Sequence, residues 1–147
     1  MTNPQFVIRT MEDDDARAVA DLTTQLGYPA SEGDIKRRYV PIKSRTDGRI
    51  LVAEKDGTVV GWIHIQGIFM LESDPRAEIF GLVVSDTQRG SGAGRALVEA
   101  AEKWAEDAGF QVVGLRSRIQ RSEAHGFYQH LGYSIVKTQH AFRKSLA

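Results

Sequence analysis

A chain of 147 residues suits one domain, large enough to bury about 70% of its unfolded surface around one core. Nineteen basic and nineteen acidic residues cancel, so no overall field draws the chain onto nucleic acid or an anionic membrane, and small or weakly charged partners are favoured. The absence of cysteine excludes disulfides, thiolate metal sites and an acyl-cysteine intermediate, so any acyl transfer goes most simply from donor to acceptor directly.

Residues 6–9 read as a short strand. Thr10 with Asp13 resembles a helix start, leading into Ala16, Val19, Ala20, Leu22 and Leu26 at helical spacing, and Gly27 ends that helix. Ser31 with Asp34 begins a second, shorter helix through Ile35 to about Val40, limited by Pro41. Residues 50–55 and 58–69 are β-rich and joined by Asp56-Gly57, a two-residue hairpin signal. Residues 72–76 read as a turn and 77–84 as a central strand.

Beyond a glycine-rich loop, residues 95–108 place Leu97, Ala100, Ala101, Trp104, Ala105 and Ala108 on one helical face, with Gly109 just past the end. A strand over 111–118 follows, then a short helix over 122–131 ended by Gly132, and a tail over 133–144 patterned as two short antiparallel strands. The order β-α-α-β-β-β-α-β-α-β-β predicts an α+β fold, a single domain over 1–147 whose mixed, largely antiparallel sheet is flanked by helices. No apolar run approaches the ~20 residues of a membrane span, and Met1-Thr2-Asn3-Pro4-Gln5 lacks the basic and apolar parts of a signal peptide, so a soluble cytoplasmic protein is expected. The histidines, 64, 125, 130 and 140, show neither H-x-x-x-H nor H-E-x-x-H spacing, and no metal is expected.

Chemistry concentrates in two segments. Arg89-Gly90-Ser91-Gly92-Ala93-Gly94 lies between a strand and a helix. Three glycines at alternate positions keep Cβ atoms off the backbone, so several N–H groups can converge on one anion at a helix start, and Arg89 adds a planar positive fork; a pyrophosphate fits. Gly-Ala-Gly-Arg-Ala over 92–96 lacks the Gly-Lys-Ser/Thr of a Walker A, and the glycine spacing departs from the dinucleotide fingerprint. An isolated glycine cluster is as often a plain surface turn. The second segment is 121–133, containing Ala124, Phe127, Tyr128, Gly132 and Tyr133.

Together, R-G-x-G-x-G after a strand and A-x-x-F-Y-x-x-x-G-Y further on resemble the GNAT superfamily of acetyl-CoA-dependent N-acetyltransferases. Arg89, Gly92 and Gly94 match the first family motif, R/Q-x-x-G-x-G/A; Ala124, Phe127, Tyr128, Gly132 and Tyr133 match the second. Arg121 stands where the family often has Asn, Asp86 where it often has Pro, and Ala93 where a branched aliphatic is common.

The resemblance implies acetyl-CoA as cosubstrate. Arg89, Gly90, Ser91, Gly92, Ala93, Gly94 and Arg95 would hold its pyrophosphate, with Arg121 a further contact; Arg95 reads equally as a solvated helix residue. Leu82, Val83 and Val84 would present strand backbone to the pantetheine arm where the central strand diverges from its parallel neighbour, with the Leu82 N–H a candidate oxyanion donor. Gly81 fits either a bulge that splays those strands or a small residue beneath a bulky neighbour. Tyr128 would protonate the departing thiolate, since a phenol stays protonated at neutral pH; without the motif it reads as a packing residue. Glu78 stands where several members carry a carboxylate base, and reads equally as a structural carboxylate paired with Arg76 or Arg116.

The leading expectation is acetyl transfer to a primary amine of a small molecule, Tyr28, Tyr39, Trp62 and His140 being candidates to wall the acceptor site. A protein or peptide amine is the second reading and a non-catalytic CoA-binding module the third. Association as a homodimer stays open.

Overall fold

The computed structural model describes residues 5–117 and 119–147, in two compact units, Met1–Leu115 and Arg116–Ala147. The first unit carries a five-stranded sheet in the order β1-β2-β3-β4-β5: β1 (Val7–Thr10), β2 (Gly48–Lys55), β3 (Thr58–Met70), β4 (Ser73–Val84) and β5 (Val113–Leu115). The first four pair antiparallel and β5 joins β4 in parallel, which gives the mixed, largely antiparallel sheet expected.

Helix α1 (Ala16–Leu26) and helix α2 (Glu32–Lys43) follow β1, and helix α3 (Ala93–Asp107) separates β4 from β5. The face of the sheet that carries Val52 and Trp62 packs on α1 and α2, where Met11, Ala16, Val19, Ala20, Ile35, Tyr39 and Val52 form a buried cluster. The opposite face carries Ile63 and Ile65, both fully buried, and Gly61, where a Cβ would come within 3.0 Å of the Leu97 side chain on α3.

Local chemistry explains most element ends. Ser31 and Asp34 cap α2 reciprocally, side chain to backbone, at 3.0 Å each. Helices α1 and α3 end at Gly27 and Gly109, both in the left-handed region, and the following N–H groups of Tyr28 and Phe110 fold back onto the carbonyls of Thr23 and Ala105. Asp56 and Gly57 both have positive φ, the geometry a two-residue hairpin with native twist requires.

Several boundaries differ from the sequence reading. Thr10 belongs to β1; the reciprocal cap is instead Glu12 with Asp15 around a 3₁₀ turn, Asp13–Asp15, that feeds α1. Helix α2 runs through Pro41 to Lys43, because a proline so near the helix end forfeits little of the ladder that follows. Strand β4 starts at Ser73, since a bulge opposite the Ile68 to Met70 stretch accommodates Pro75 without a ladder N–H. Of the strand expected over 111–118, Val113–Leu115 pairs, and Arg118 lies outside the described residues, as do the first four residues of the expected leaderless start.

The second unit contains helix α4 (Ser122–His130), as the spacing predicts. No strand forms among the described residues of the tail: Ile135, Val136, Phe142 and Leu146 are exposed there. Apolar alternation supplies one side of a strand, and a ladder also needs a partner backbone. Among the described residues no helix is long and apolar enough to cross a membrane.

Candidate functional site

Strand β4 carries a β-bulge at Phe80. Gly81 pairs with His64 and Ile79 with Ile65, which leaves Phe80 as an extra residue with no β3 counterpart. The parallel ladder to β5 joins Ala77 to Val113, Glu78 to Gly114 and Ile79 to Leu115, and stops there. Past the bulge, Leu82, Val83 and Val84 remain paired to β3 on one side, with no strand on the other among the described residues. Both readings of Gly81 hold: it adjoins the bulge, and a Cβ on it would lie 2.8 Å from the Trp62 indole, so only glycine leaves room for that ring.

Beyond β4, Ser85 donates its N–H to the Val60 carbonyl and opens a 3₁₀ turn over Asp86–Gln88. Gly90 and Gly92 follow at φ 76° and 95°. Gly92 is the N-cap of α3, has no side chain to cap it, and its carbonyl accepts from the Ala96 N–H at 2.9 Å, the first bond of the helix. The N–H groups of Ala93, Gly94 and Arg95 therefore precede the intrahelical ladder, and no acidic side chain occupies the first turn. Donors of this kind, with Cβ-free backbone in front, fit the oxyanions of a pyrophosphate. The Ser91 N–H and hydroxyl turn back to the Gln88 carbonyl and shape the loop from inside. Arg89 is exposed and 3.2 Å from Asp86, while Arg95 pairs along the helix with Glu99 at 3.1 Å.

Glu78 is buried on β4, opposite Gln66 of β3, and its carboxylate lies 3.6 Å from the Arg76 guanidinium, one of the two pairings its sequence position allowed.

In the second unit, the spacing A-x-x-F-Y-x-x-x-G-Y has a conformational cause. Gly132, at φ 98°, reverses the chain after α4; its N–H bonds to the Gln129 carbonyl and the Tyr133 N–H to the Tyr128 carbonyl, both at 3.0 Å. That turn brings the Tyr133 ring edge-on to Tyr128 at 6.0 Å, while Phe127 also meets it edge-on, at 5.2 Å. Burial pushes the Tyr128 phenol above its ordinary value, partly opposed by Arg121, which stands exposed as the N-cap residue of α4. The hydroxyl is thus held in its proton-carrying form at neutral pH.

Among the acceptor-wall candidates, Tyr39 is buried and donates its hydroxyl to the Met11 carbonyl at 2.6 Å, so it is a core residue. Tyr28 and His140 are exposed. His64 was not among the candidates; it stands two residues from Trp62 on the same face of β3 and meets Phe80 edge-on at 5.1 Å. Its Nε2 and the Trp62 Nε1 are buried without a hydrogen-bond partner, and burial pushes its imidazole below the ordinary histidine value. The only hint in the sequence was a polar residue at an inward-facing position of the strand.

The profile of the Acetyltransferase (GNAT) family matches residues 12–133. Over 143 residues the chain is 27% identical to an aminoglycoside N(6')-acetyltransferase type 1 of Stenotrophomonas maltophilia, covering 95% of this chain and 93% of that protein. It is 35% identical over 96 residues to an aminoalkylphosphonate N-acetyltransferase of Salmonella typhimurium, covering 65% and 61% of the two chains. The solved structure of an aminoglycoside N-acetyltransferase in complex with CoA superposes with a TM-score of 0.84 at 18% identity, covering 95% of this chain and 94% of that one, a likeness of fold.

Proposed function

Because the chain belongs to the acetyltransferase (GNAT) family and is an acetyl-CoA-dependent N-acetyltransferase, we propose that its acceptor is a primary amine of a small molecule, acetylated directly from the thioester. The observation that carries this reading is the early end of the β4–β5 ladder at Ile79, which leaves Leu82, Val83 and Val84 with no second strand partner among the described residues, at the end of β4 that leads to the helix start at Gly92. Two relatives are named for small-molecule amines, an aminoglycoside and an aminoalkylphosphonate, and both names support the acceptor class. The family profile runs across both compact units, which supports residues 1–147 as one catalytic domain.

In this reading the N–H groups of Ala93, Gly94 and Arg95, with Arg89, hold the pyrophosphate; Gly90, Ser91 and Gly92 shape the approach; and Arg121 adds a contact from α4. The backbone at Leu82, Val83 and Val84 aligns the pantetheine arm as an added strand would, and the Leu82 N–H faces the carbonyl oxygen as charge develops there. Acetyl-CoA supplies the activated acyl group. Glu78 takes a proton from the acceptor ammonium, directly or through water, and Tyr128 gives its proton to the departing thiolate.

A panel of small primary amines assayed for CoA thiol release tests the proposal. Turnover with at least one of them is expected, and turnover restricted to peptide amines would shift the reading to a protein acetyltransferase. Absence of thiol release with every amine tried would favour a CoA-binding module.

A further inference from the structure

We propose that Arg76 and Glu78 together select acceptors that carry an oxyanion beside the amine, the guanidinium taking a carboxylate or phosphonate and Glu78 the ammonium. The inference rests on the acetyltransferase reading of the same site and names its substrate class.

Arg76 and Glu78 are two residues apart on β4 and so share a face of the sheet. Their closest approach, 3.6 Å from Nη2 to Oε1, is an ion pair without a hydrogen bond. The Arg76 side chain is three-quarters buried, at 24% exposure, and among the described residues Glu78 is its only recorded partner. A guanidinium has five N–H donors in a planar fork, and a largely buried one with those donors unspent is matched by an incoming oxyanion.

At the facing position of β5 no side chain intervenes. Gly114 of β5, directly across from Glu78, has no side chain; a Cβ there would lie 3.7 Å from the Arg76 Cδ and Nε and 3.8 Å from the Glu78 Oε1. Both charged groups therefore lean over bare backbone. On the β3 side, Gln66 stands opposite Glu78 with its amide already donating to the Asp47 carbonyl at 3.1 Å, and Ile68 stands opposite Arg76, so neither supplies a competing charge. A cation and an anion side by side complement a zwitterion, and the same Arg76 repels a polycation.

The test compares matched acceptors by thiol release: β-alanine with β-alaninamide, 3-aminopropylphosphonate with 3-aminopropanol, and a polycationic aminoglycoside. Lower KM for the anionic member of either pair is expected, and the pair showing the larger gap identifies carboxylate or phosphonate as the preferred group. Arg76→Gln should raise KM for that anionic acceptor about tenfold more than for its neutral partner, whatever change the loss of the Glu78 ion pair brings to both; Arg76→Lys, which keeps the charge, should retain part of the preference. Equal KM changes for both members of a pair would show a structural role and overturn the proposal, as would a wild-type preference for the neutral amine or the polycation. Turnover without anion preference removes this inference alone, whereas no turnover with any amine removes the proposed function with it.

Discussion

Tyr128 is held by its neighbours. Phe127 and Tyr133 contact its ring edge-on, and burial raises the phenol's affinity for its proton. Replacing it with phenylalanine keeps the ring and those contacts while removing the proton, so Tyr128→Phe should lower kcat about 10²–10⁴-fold with acetyl-CoA affinity kept within a few fold. Steady-state kinetics with a good acceptor decides, and near-normal turnover would leave Tyr128 a packing residue. At this scale the sequence was partly readable. Tyr128 and Glu78 stood out through motif and position, and Arg76 appeared as one of two candidate partners for Glu78. His64 did not stand out, because its edge-on contact with Phe80 involves the extra residue of a bulge that the sequence does not announce.

At the scale of elements, the start of α3 combines two requirements at one residue. Gly92 adopts φ 95°, which a branched side chain resists, and it fronts the donors of the first turn. Saturating acetyl-CoA should raise the Tm of the wild-type protein, by linkage about 2.7 kcal/mol of stabilisation at 100 times Kd. Gly92→Val should lower the Tm of the free protein and, separately, abolish most of the ligand-induced rise. Differential scanning fluorimetry with and without acetyl-CoA distinguishes the two, and an undiminished rise in folded Gly92→Val would refute the cradle. The helices were legible because capping residues and left-handed glycines act locally. Strand ends were less so: Pro75 looked like a turn until its bulge was seen, and the tail's apolar alternation could not reveal whether a partner backbone was present.

Across the molecule, one polar cluster ties three segments together. Arg9 on β1 donates to both oxygens of Asp15 in the 3₁₀ turn, at 2.8 Å each, and to Glu54 on β2. The hydrogen bonds from Arg9 hold the largely buried Asp15 carboxyl below its ordinary value, against the opposing effect of burial. A depressed carboxyl stabilises the fold above its unfolded pKa of about 3.9, and that contribution is lost as pH falls through the lower folded value. Asp15→Asn should therefore cost about 1–3 kcal/mol at neutral pH, and its stability should change less than the wild type's between about pH 5 and pH 2. Urea titrations across that range check it; parallel pH dependences for the two proteins would show that Asp15 does not set the acid response.

The bulge on β4 makes the sheet resemble a zipper with one tooth too many on one side. The Phe80 residue has no counterpart, and the fastening to β5 jams beside it, after three pairs. Deleting Phe80 would leave Ile79 opposite Ile65 and Gly81 opposite His64, the pairings they already have, and would let β4 run straight. Such a protein should fold at least as well, with a Tm equal to or above the wild type's, and should show no thermal response to acetyl-CoA because the two strands could then close along their length. In the proposed binding mode, failure of the sheet to finish closing keeps a place for the cosubstrate, and a miscount of one residue maintains it.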